Sequence, residues 1–117
     1  MVKQNDHKSL AIWAADRAEK VLPYFEKENP KDDRPRKAIE ALRAWAKDEL
    51  ACGEVRKAAW AAHAAARSVK TDTAIFAARI SGQAASVAHV PTHISGVIYY
   101  EEKLSKVVKS LKNKGTK

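Results

Sequence analysis

The stretch Ala58-Ala59-Trp60-Ala61-Ala62-His63-Ala64-Ala65-Ala66 decides the fold class. Alanine has the highest intrinsic helix propensity of the amino acids, so this run strongly favours a helix. Its small side chains also allow neighbouring helices to approach closely. Only Trp60 and His63 stand out from this smooth surface. The stretch therefore predicts the central helix of a compact helical domain.

Apolar residues with helical periodicity flank this stretch and predict four more helices. Counting the alanine-rich one, the five run from about Lys8 to Leu22, Arg34 to Glu49, Glu54 to Val69, Asp72 to Ala88 and Thr92 to Leu111. The fold class predicted is therefore an all-α, compact single-domain bundle of about five helices over residues 1–117, with its core at about 9–111 and a frayed basic tail at 112–117.

The helix ends are predicted from proline, glycine and capping residues. Pro23 should kink the first helix or begin a short extra turn through Glu28. Gly53 is a plausible stop for the second helix. Glycine inside the fourth helix, at Gly82, costs about 1 kcal/mol relative to alanine, so a close contact with the third helix should offset it. The second helix is predicted to be capped at its start by Asp32 or Asp33, and the fourth helix by Thr71 or Asp72.

The net charge of +8 is unevenly distributed along the chain. Six lysines and no acidic residue lie at positions 103–117, which leaves 16 basic against 14 acidic residues elsewhere. Lysines at a helix end complement the helix dipole, and nucleic-acid binding needs charge clustered on one folded face. The pattern therefore favours a solvated lysine end over a nucleic-acid site. A single cysteine, with no apolar signal core and no membrane span, fits a cytoplasmic protein.

Four titratable residues are candidates for chemistry. Glu101 falls at the centre of the apolar face of the fifth helix, where a carboxylate needs a partner or a proton. His63, His89 and His93 could converge on it. The functional interpretation is a metal or acid–base site, and the alternative is a set of core polar residues joined by hydrogen bonds. His89 and His93 have the spacing of helical zinc ligands, but Pro91 lies between them, and no metal site or cofactor is predicted.

An aromatic and basic stripe on the third helix is a candidate binding surface. Arg56, Trp60 and Arg67 could form a cation–π ladder or an interface patch, or could equally form a solvated rim. The polar faces of the first two helices offer further contact candidates, so that the predicted interface residues are Trp13, Arg36, Arg43, Arg56 and Trp60.

Several runs together resemble a known family. They are residues 10–23, the Asp-Arg-Pro-Arg run at 33–36 with its continuation to Trp45, residues 61–67, residues 88–90, and His93 with Gly96 and Tyr99. Their order and spacing resemble the immunity-five-like class of small all-helical immunity proteins, which is linked to polymorphic-toxin systems in bacteria and archaea. The likeness covers about residues 9–100.

The resemblance implies one helical domain that binds and neutralises a partner toxin without being an enzyme. It also implies a shared polar network, in which Asp16 or Glu101 would accept hydrogen bonds from arginines or a histidine. Gln83 departs from the family pattern, which has a histidine after the glycine of the fourth helix. The residues expected in the network are Asp16, Arg34, Arg36, His63, Arg67, His89, His93 and Glu101.

Three functional hypotheses follow. The first is an immunity-type interaction protein with a protein partner, and the second is a small metal- or ligand-binding protein that uses the histidines and Glu101. The third is nucleic-acid binding through the lysine-rich end of the last helix, which would be salt-sensitive and would depend on residues 103–117. The oligomeric state and the identity of the partner do not follow from the sequence.

Overall fold

A computed structural model describes residues 4–115 and the side chains of residues 5–113. In this part of the chain five α-helices and one 3₁₀ turn are present and no strand occurs, which confirms the all-α prediction. The helices are α1 (Gln4–Glu28), α2 (Arg34–Ala46), α3 (Cys52–Ala66), α4 (Asp72–Ser86) and α5 (Ile94–Gly115), with the 3₁₀ turn at Pro91–His93.

The central helix is α4 rather than the alanine-rich α3. Within the described chain α4 packs against each of the other four helices, whereas α3 packs against α2 and α4 alone. The side chain of Ile80 is fully buried, and Trp60 on the outer face of α3 is 62% exposed. Alanine on α3 therefore allows α4 to approach closely, but it does not place α3 at the centre. The prediction that the alanine-rich helix is the central one is therefore wrong.

The first helix is longer than predicted at both ends. It is continuous from Gln4 to Glu28, with Pro23 inside it, so the alternative of a separate extra turn is wrong. Its buried face continues across the proline, from Leu22 before it to Phe25 after it, and these residues are 1% and 0% exposed. Burial of these two side chains stabilises the last turns by a few kcal/mol, roughly the cost of a proline in a helix.

The second helix ends earlier than predicted, and glycine is not the reason. Asp48 adopts a left-handed backbone conformation with φ 61°, a conformation that aspartate tolerates better than most residues. The Asp48 N–H donates to the carbonyl of Trp45, and the Glu49 N–H donates to the carbonyl of Ala44. These two bonds form a Schellman termination. Gly53, the predicted stop, lies instead in the first turn of α3.

The start of α4 is fixed from two directions. The Thr71 hydroxyl accepts a hydrogen bond from the Ala74 N–H, which confirms it as the N-cap residue. Glu28, at the end of α1, accepts hydrogen bonds from the backbone N–H of Lys70, the backbone N–H of Thr71 and the Thr71 hydroxyl, at 2.6–2.9 Å. These bonds lower the pKa of Glu28. The loop between α3 and α4 is thereby joined to the end of the first helix.

The capping of α2 is shared between the two predicted aspartates. Asp33 occupies the N-cap position without a side-chain cap bond, and Asp32 accepts instead from the Arg34 backbone N–H at 3.1 Å. Pro35 lies in the first turn, where its missing N–H costs nothing.

The last helix continues to Gly115, beyond the predicted end at Leu111. Lys103, Lys106, Lys109 and Lys112 are exposed along it. Of the other two tail lysines, the Lys114 side chain and the whole of Lys117 lie outside the described part of the chain, as do residues 1–3 of the N-terminus. Among the helices that are described, none is both long and apolar enough to cross a membrane.

Candidate functional site

His63 lies in the contact between α3 and α4. Its imidazole is partly buried, and its Nδ1 accepts a hydrogen bond from the Arg79 guanidinium at 3.0 Å. Gly82 lies directly against the ring, since a Cβ at that position would be 2.5 Å from the imidazole Nε2. The close helix contact predicted at Gly82 is therefore present, and the imidazole itself fills the space.

A second histidine is held from the same helix. His93, in the 3₁₀ turn, donates from Nδ1 to the Gln83 side-chain oxygen at 3.0 Å. The Gln83 side chain lies against Gly96 of α5, where a Cβ would collide with it. The Gln83 amide thus positions His93 by a hydrogen bond.

The charged groups that act on His63 are all basic. Burial, followed in order of effect by the positive charges of Arg79, His93 and Arg67, lowers the pKa of His63 to about 4. A neutral imidazole at pH 7 fits the hydrogen bond in which Nδ1 accepts from Arg79. No carboxylate among the described side chains contributes to this environment. The cluster is therefore a concentration of basic groups.

Of the four residues that could converge, His63 and His93 lie in this cluster, whereas His89 and Glu101 lie elsewhere. Helix α4 ends at Ser86, which leaves His89 exposed in the turn that follows. Glu101 accepts two hydrogen bonds of 2.8 Å from the Arg17 Nε. The part of the chain that the structure describes contains no group of three metal-ligating side chains.

Three other members of the predicted polar network, Asp16, Arg34 and Arg36, form separate ion pairs. Arg43 pairs with Asp16 at 2.9 Å and also with Glu19. The charged hydrogen bonds of Arg34 with Asp32 and of Arg36 with Glu26 are 2.7 Å long, lower the pKa of both carboxyls and raise the pKa of both guanidinium groups. Helical periodicity correctly places charged residues on the polar faces of α1 and α2, but it does not identify the residues with which they pair. The network predicted to include Asp16, Arg34, Arg36, Glu101 and the histidines is thus several local contacts.

The stripe of Arg56, Trp60 and Arg67 on α3 faces solvent, and a cation–π contact joins its first two members. The Arg56 guanidinium lies 5.4 Å from the centre of the exposed Trp60 ring. Arg67 is exposed at the end of the helix and has no ion-pair partner among the described residues. We call Arg56, Trp60, His63, Arg67 and Arg79 the basic face. Its first four members recur every three or four residues along α3, and Arg79 joins them through His63.

A groove separates α1 from α5 on another side of the molecule. It has a volume of about 380 Å³ and is lined mainly by Val21, Tyr24, Leu104 and Val108, with Glu101 and Lys112 at its rim. Two large apolar residues of α5, Ile98 and Leu111, are 43% and 57% exposed. Trp13 is also partly exposed and stacks under Arg17 at 4.3 Å.

Reasoning from the sequence missed the two α4 residues that organise the histidines. Arg79 and Gln83 are four residues apart and therefore share one face of the helix. One signal could have identified Arg79, because it is the only charged residue of α4 after Asp72. A lone arginine in an otherwise apolar and small helix needs a polar environment.

The fold and these contacts define a small all-α protein with several surface ion pairs and one basic cluster. The chain belongs to the family of Imm-5 like putative immunity proteins, whose model matches residues 1–114. This match confirms the resemblance seen in the sequence. No curated protein and no solved structure matches the chain.

Proposed function

We propose that the protein binds a toxin protein and neutralises it by covering the toxin's active surface, without catalysing a reaction. Membership of an immunity family supports a protein partner. The choice of surface rests on one observation. Arg56, Arg67 and Arg79 have no carboxylate within ion-pair distance in the described chain, whereas the other four arginines each have one.

The basic face has the composition of an interface centre. Tryptophan and arginine dominate the residues whose truncation weakens protein complexes most. Trp60 is the most exposed of the large apolar side chains in the described part of the chain, at 62%. Stacking with Arg56 holds both side chains in one arrangement before a partner arrives, which reduces the entropy lost on binding.

The charge of this face indicates an acidic partner surface. Complementary charge mainly accelerates association and selects the partner, and the net charge of +8 adds a long-range attraction to an acidic protein. A standard interface buries about 800 Å² on each partner. The basic face and its surroundings on α3 and α4 would supply that area from a total accessible surface of 7092 Å².

The remaining predicted contact residues lie outside the interface that we propose. Arg36 and Arg43 are already paired with Glu26 and Asp16, so a partner would have to break those pairs. Trp13 is covered on one side by Arg17. These three residues therefore provide matched controls for the test.

The test first looks for a toxin gene beside this gene in its native genome and then measures protection of cells against that toxin. Co-expression of the chain should restore growth, and the purified pair should form a complex. The double variant Arg56→Glu, Trp60→Ala should raise the Kd by at least about 30-fold and abolish protection, because it removes an arginine and a tryptophan anchor.

The matched variant Arg43→Glu changes the same charge on α2 and should leave protection intact. Loss of protection in this control but not in the double variant would place the interface on the first two helices. A chain that neither protects nor binds the neighbouring toxin would overturn the proposed function.

A further inference from the structure

We propose that Arg79, Arg67 and His63 form a binding site for a single oxyanion, either a carboxylate or a phosphoryl-type group, between α3 and α4. The site lies on the basic face but does not depend on the proposed toxin partner. Its test uses free anions, so either proposal can fail while the other stands.

Arg79 has an incomplete hydrogen-bonding environment among the described residues. A guanidinium presents five N–H donors in a rigid fork, and here one hydrogen bond is made, to the neutral His63 imidazole. Arg79 is partly buried, and no described carboxylate lies within 4 Å of its guanidinium nitrogens. Partial burial of a cation is costly unless an anion pairs with it. A bound oxyanion would supply the missing partner through two parallel N–H···O bonds.

The groups around Arg79 are held in place. Gly82 admits the His63 ring against the α4 backbone, and Gly96 admits the Gln83 side chain that orients His93. Arg67 is four residues beyond His63, so the two side chains are neighbours on the surface of α3. Basic groups from α3, α4 and the 3₁₀ turn thus surround one imidazole before any ligand arrives.

Protonation of His63 should be coupled to anion binding. The groups that act on its imidazole are all basic, namely Arg67 on its own helix, Arg79 on α4 and His93 on the 3₁₀ turn. An anion bound beside the ring would favour the imidazolium form. Anion binding should therefore take up a proton, and affinity should increase as the pH falls below neutral.

The experiment is an NMR titration of the full chain at low ionic strength. Sulfate is the phosphoryl-type probe, because its charge does not change near neutral pH, and acetate at pH 7 is the carboxylate probe. We expect saturable shifts of the His63 ring and Arg79 side-chain signals with a Kd on the order of 1 mM for at least one anion. Sulfate alone would identify a phosphoryl-type site, acetate alone a carboxylate site, and both a general oxyanion site.

Variants then locate the anion. Arg79→Gln should weaken binding at least about tenfold and Arg67→Gln about threefold, because each removes a charged donor. Arg43→Gln removes an arginine that already has carboxylate partners and should change nothing. Arg67 is exposed, so its variant reports on binding even if the Arg79 variant alters the fold.

His63→Gln tests the proton linkage, since it should abolish the gain in sulfate affinity at lower pH. The absence of saturable shifts with both anions would overturn the proposal. So would equal shifts with chloride at matched ionic strength, or unchanged sulfate binding in both the Arg79 and Arg67 variants.

Discussion

The arginines of α1 and α2 and those of α3 and α4 lie in opposite electrostatic surroundings. Arg17, Arg34, Arg36 and Arg43 each contact a carboxylate at 2.7–2.9 Å. The three that follow along the chain instead contact an aromatic ring, a neutral imidazole or solvent. Exposed ion pairs contribute about 0–1 kcal/mol each, so the paired arginines contribute little to stability and nothing to attracting a partner.

The difference shows where the molecule retains unneutralised charge. On α1 and α2 positive and negative groups cancel locally, which leaves little field to act on a distant molecule. On α3 and α4 the charge remains available, and one of its members is partly buried at a cost to the free energy of folding. A partly buried charge that lowers stability and has no ion-pair partner within the described chain is expected at a binding surface.

The largest expected effect is a dependence of the unfolding free energy on pH, which arises from His63 in the contact between α3 and α4. The pKa of His63 is about 4 in the folded protein against 6.5 for an unperturbed histidine. Between these values the unfolded chain binds more protons, so stability is complete above pH 6.5 and is lost as the pH falls toward 4. The loss should be at most about 3 kcal/mol. Urea unfolding at a series of pH values measures it.

Two variants separate this effect from other titrations. His63→Gln should remove most of the decline in unfolding free energy between pH 6.5 and 4.5, and His89→Gln, at an exposed position, should leave it unchanged. The carboxyls of Glu26 and Asp32 have lowered pKa values because of their arginine partners. Their contribution is therefore lost only at lower pH, below 4.5 and 3.8 respectively. A flat profile from pH 6.5 to 4.5 in the unmodified protein would contradict the prediction.

The second prediction tests whether the basic face depends on close packing. Gly82→Ala should lower the unfolding free energy by about 1.5 kcal/mol, because its Cβ would lie 2.5 Å from the His63 ring. The ring must then move outward and lose its hydrogen bond with Arg79. NMR should also show the pKa of His63 rising toward 6.5 as its burial decreases.

Gly53→Ala is the matched control for that change. A Cβ at Gly53 meets nothing within 4 Å, so this variant should be neutral or stabilising by about 0.5 kcal/mol. In a His63→Ala background the cost of Gly82→Ala should largely disappear, since the obstructing ring is gone. If Gly82→Ala costs as much without the ring as with it, the close contact is with something other than His63.

The helices of this fold can be predicted from local sequence patterns, but the helix that lies at the centre of the bundle cannot. Alanine content, Pro35 and Thr71 identify the helices and two of their starts, because propensity and capping act within a few residues. The order of packing depends on which small residues face each other. Alanine is small on every side of α3, so its pattern could not show that α4, with the fully buried Ser81 and Ile80, lies in the middle.

The candidate site was predicted only in part, for the same reason. His63 and His93 do lie near each other, and the signal for the contact between α3 and α4 was Gly82. The helical wheel placed Glu101 on an inward face but gave no information on Arg17, which is 84 positions earlier in the sequence and belongs to another helix. Long-range partners depend on how helices are arranged in three dimensions, and a single sequence carries no direct record of that arrangement.

The third prediction concerns that long-range pair. Arg17→Gln should lower the unfolding free energy by about 1 kcal/mol, because it leaves the Glu101 carboxylate, 21% exposed, without its charged donor. Arg43→Gln should change the unfolding free energy by less than about 0.5 kcal/mol, since its carboxylate partners are 58% and 60% exposed. Adding Glu101→Gln to Arg17→Gln should recover part of the loss. Equal costs for the two arginine variants would remove the distinction between partly buried and solvated pairs.

The smallest expected effect concerns Asp48, where the strain of the backbone conformation and the stabilisation from an ion pair have opposite signs. Asp48 has a φ of 61° and also pairs with Lys8. Asp48→Gly relieves the left-handed strain but removes a pair whose carboxylate is 72% exposed, and a net gain of about 0.3 kcal/mol is expected. Asp48→Ala, which loses the pair and keeps the strain, should instead cost about 1 kcal/mol. A loss of stability in Asp48→Gly would mean that the ion pair with Lys8 contributes more free energy than relief of the backbone strain. The ion pairs of the first two helices would then contribute to stability rather than being solvated contacts of little effect.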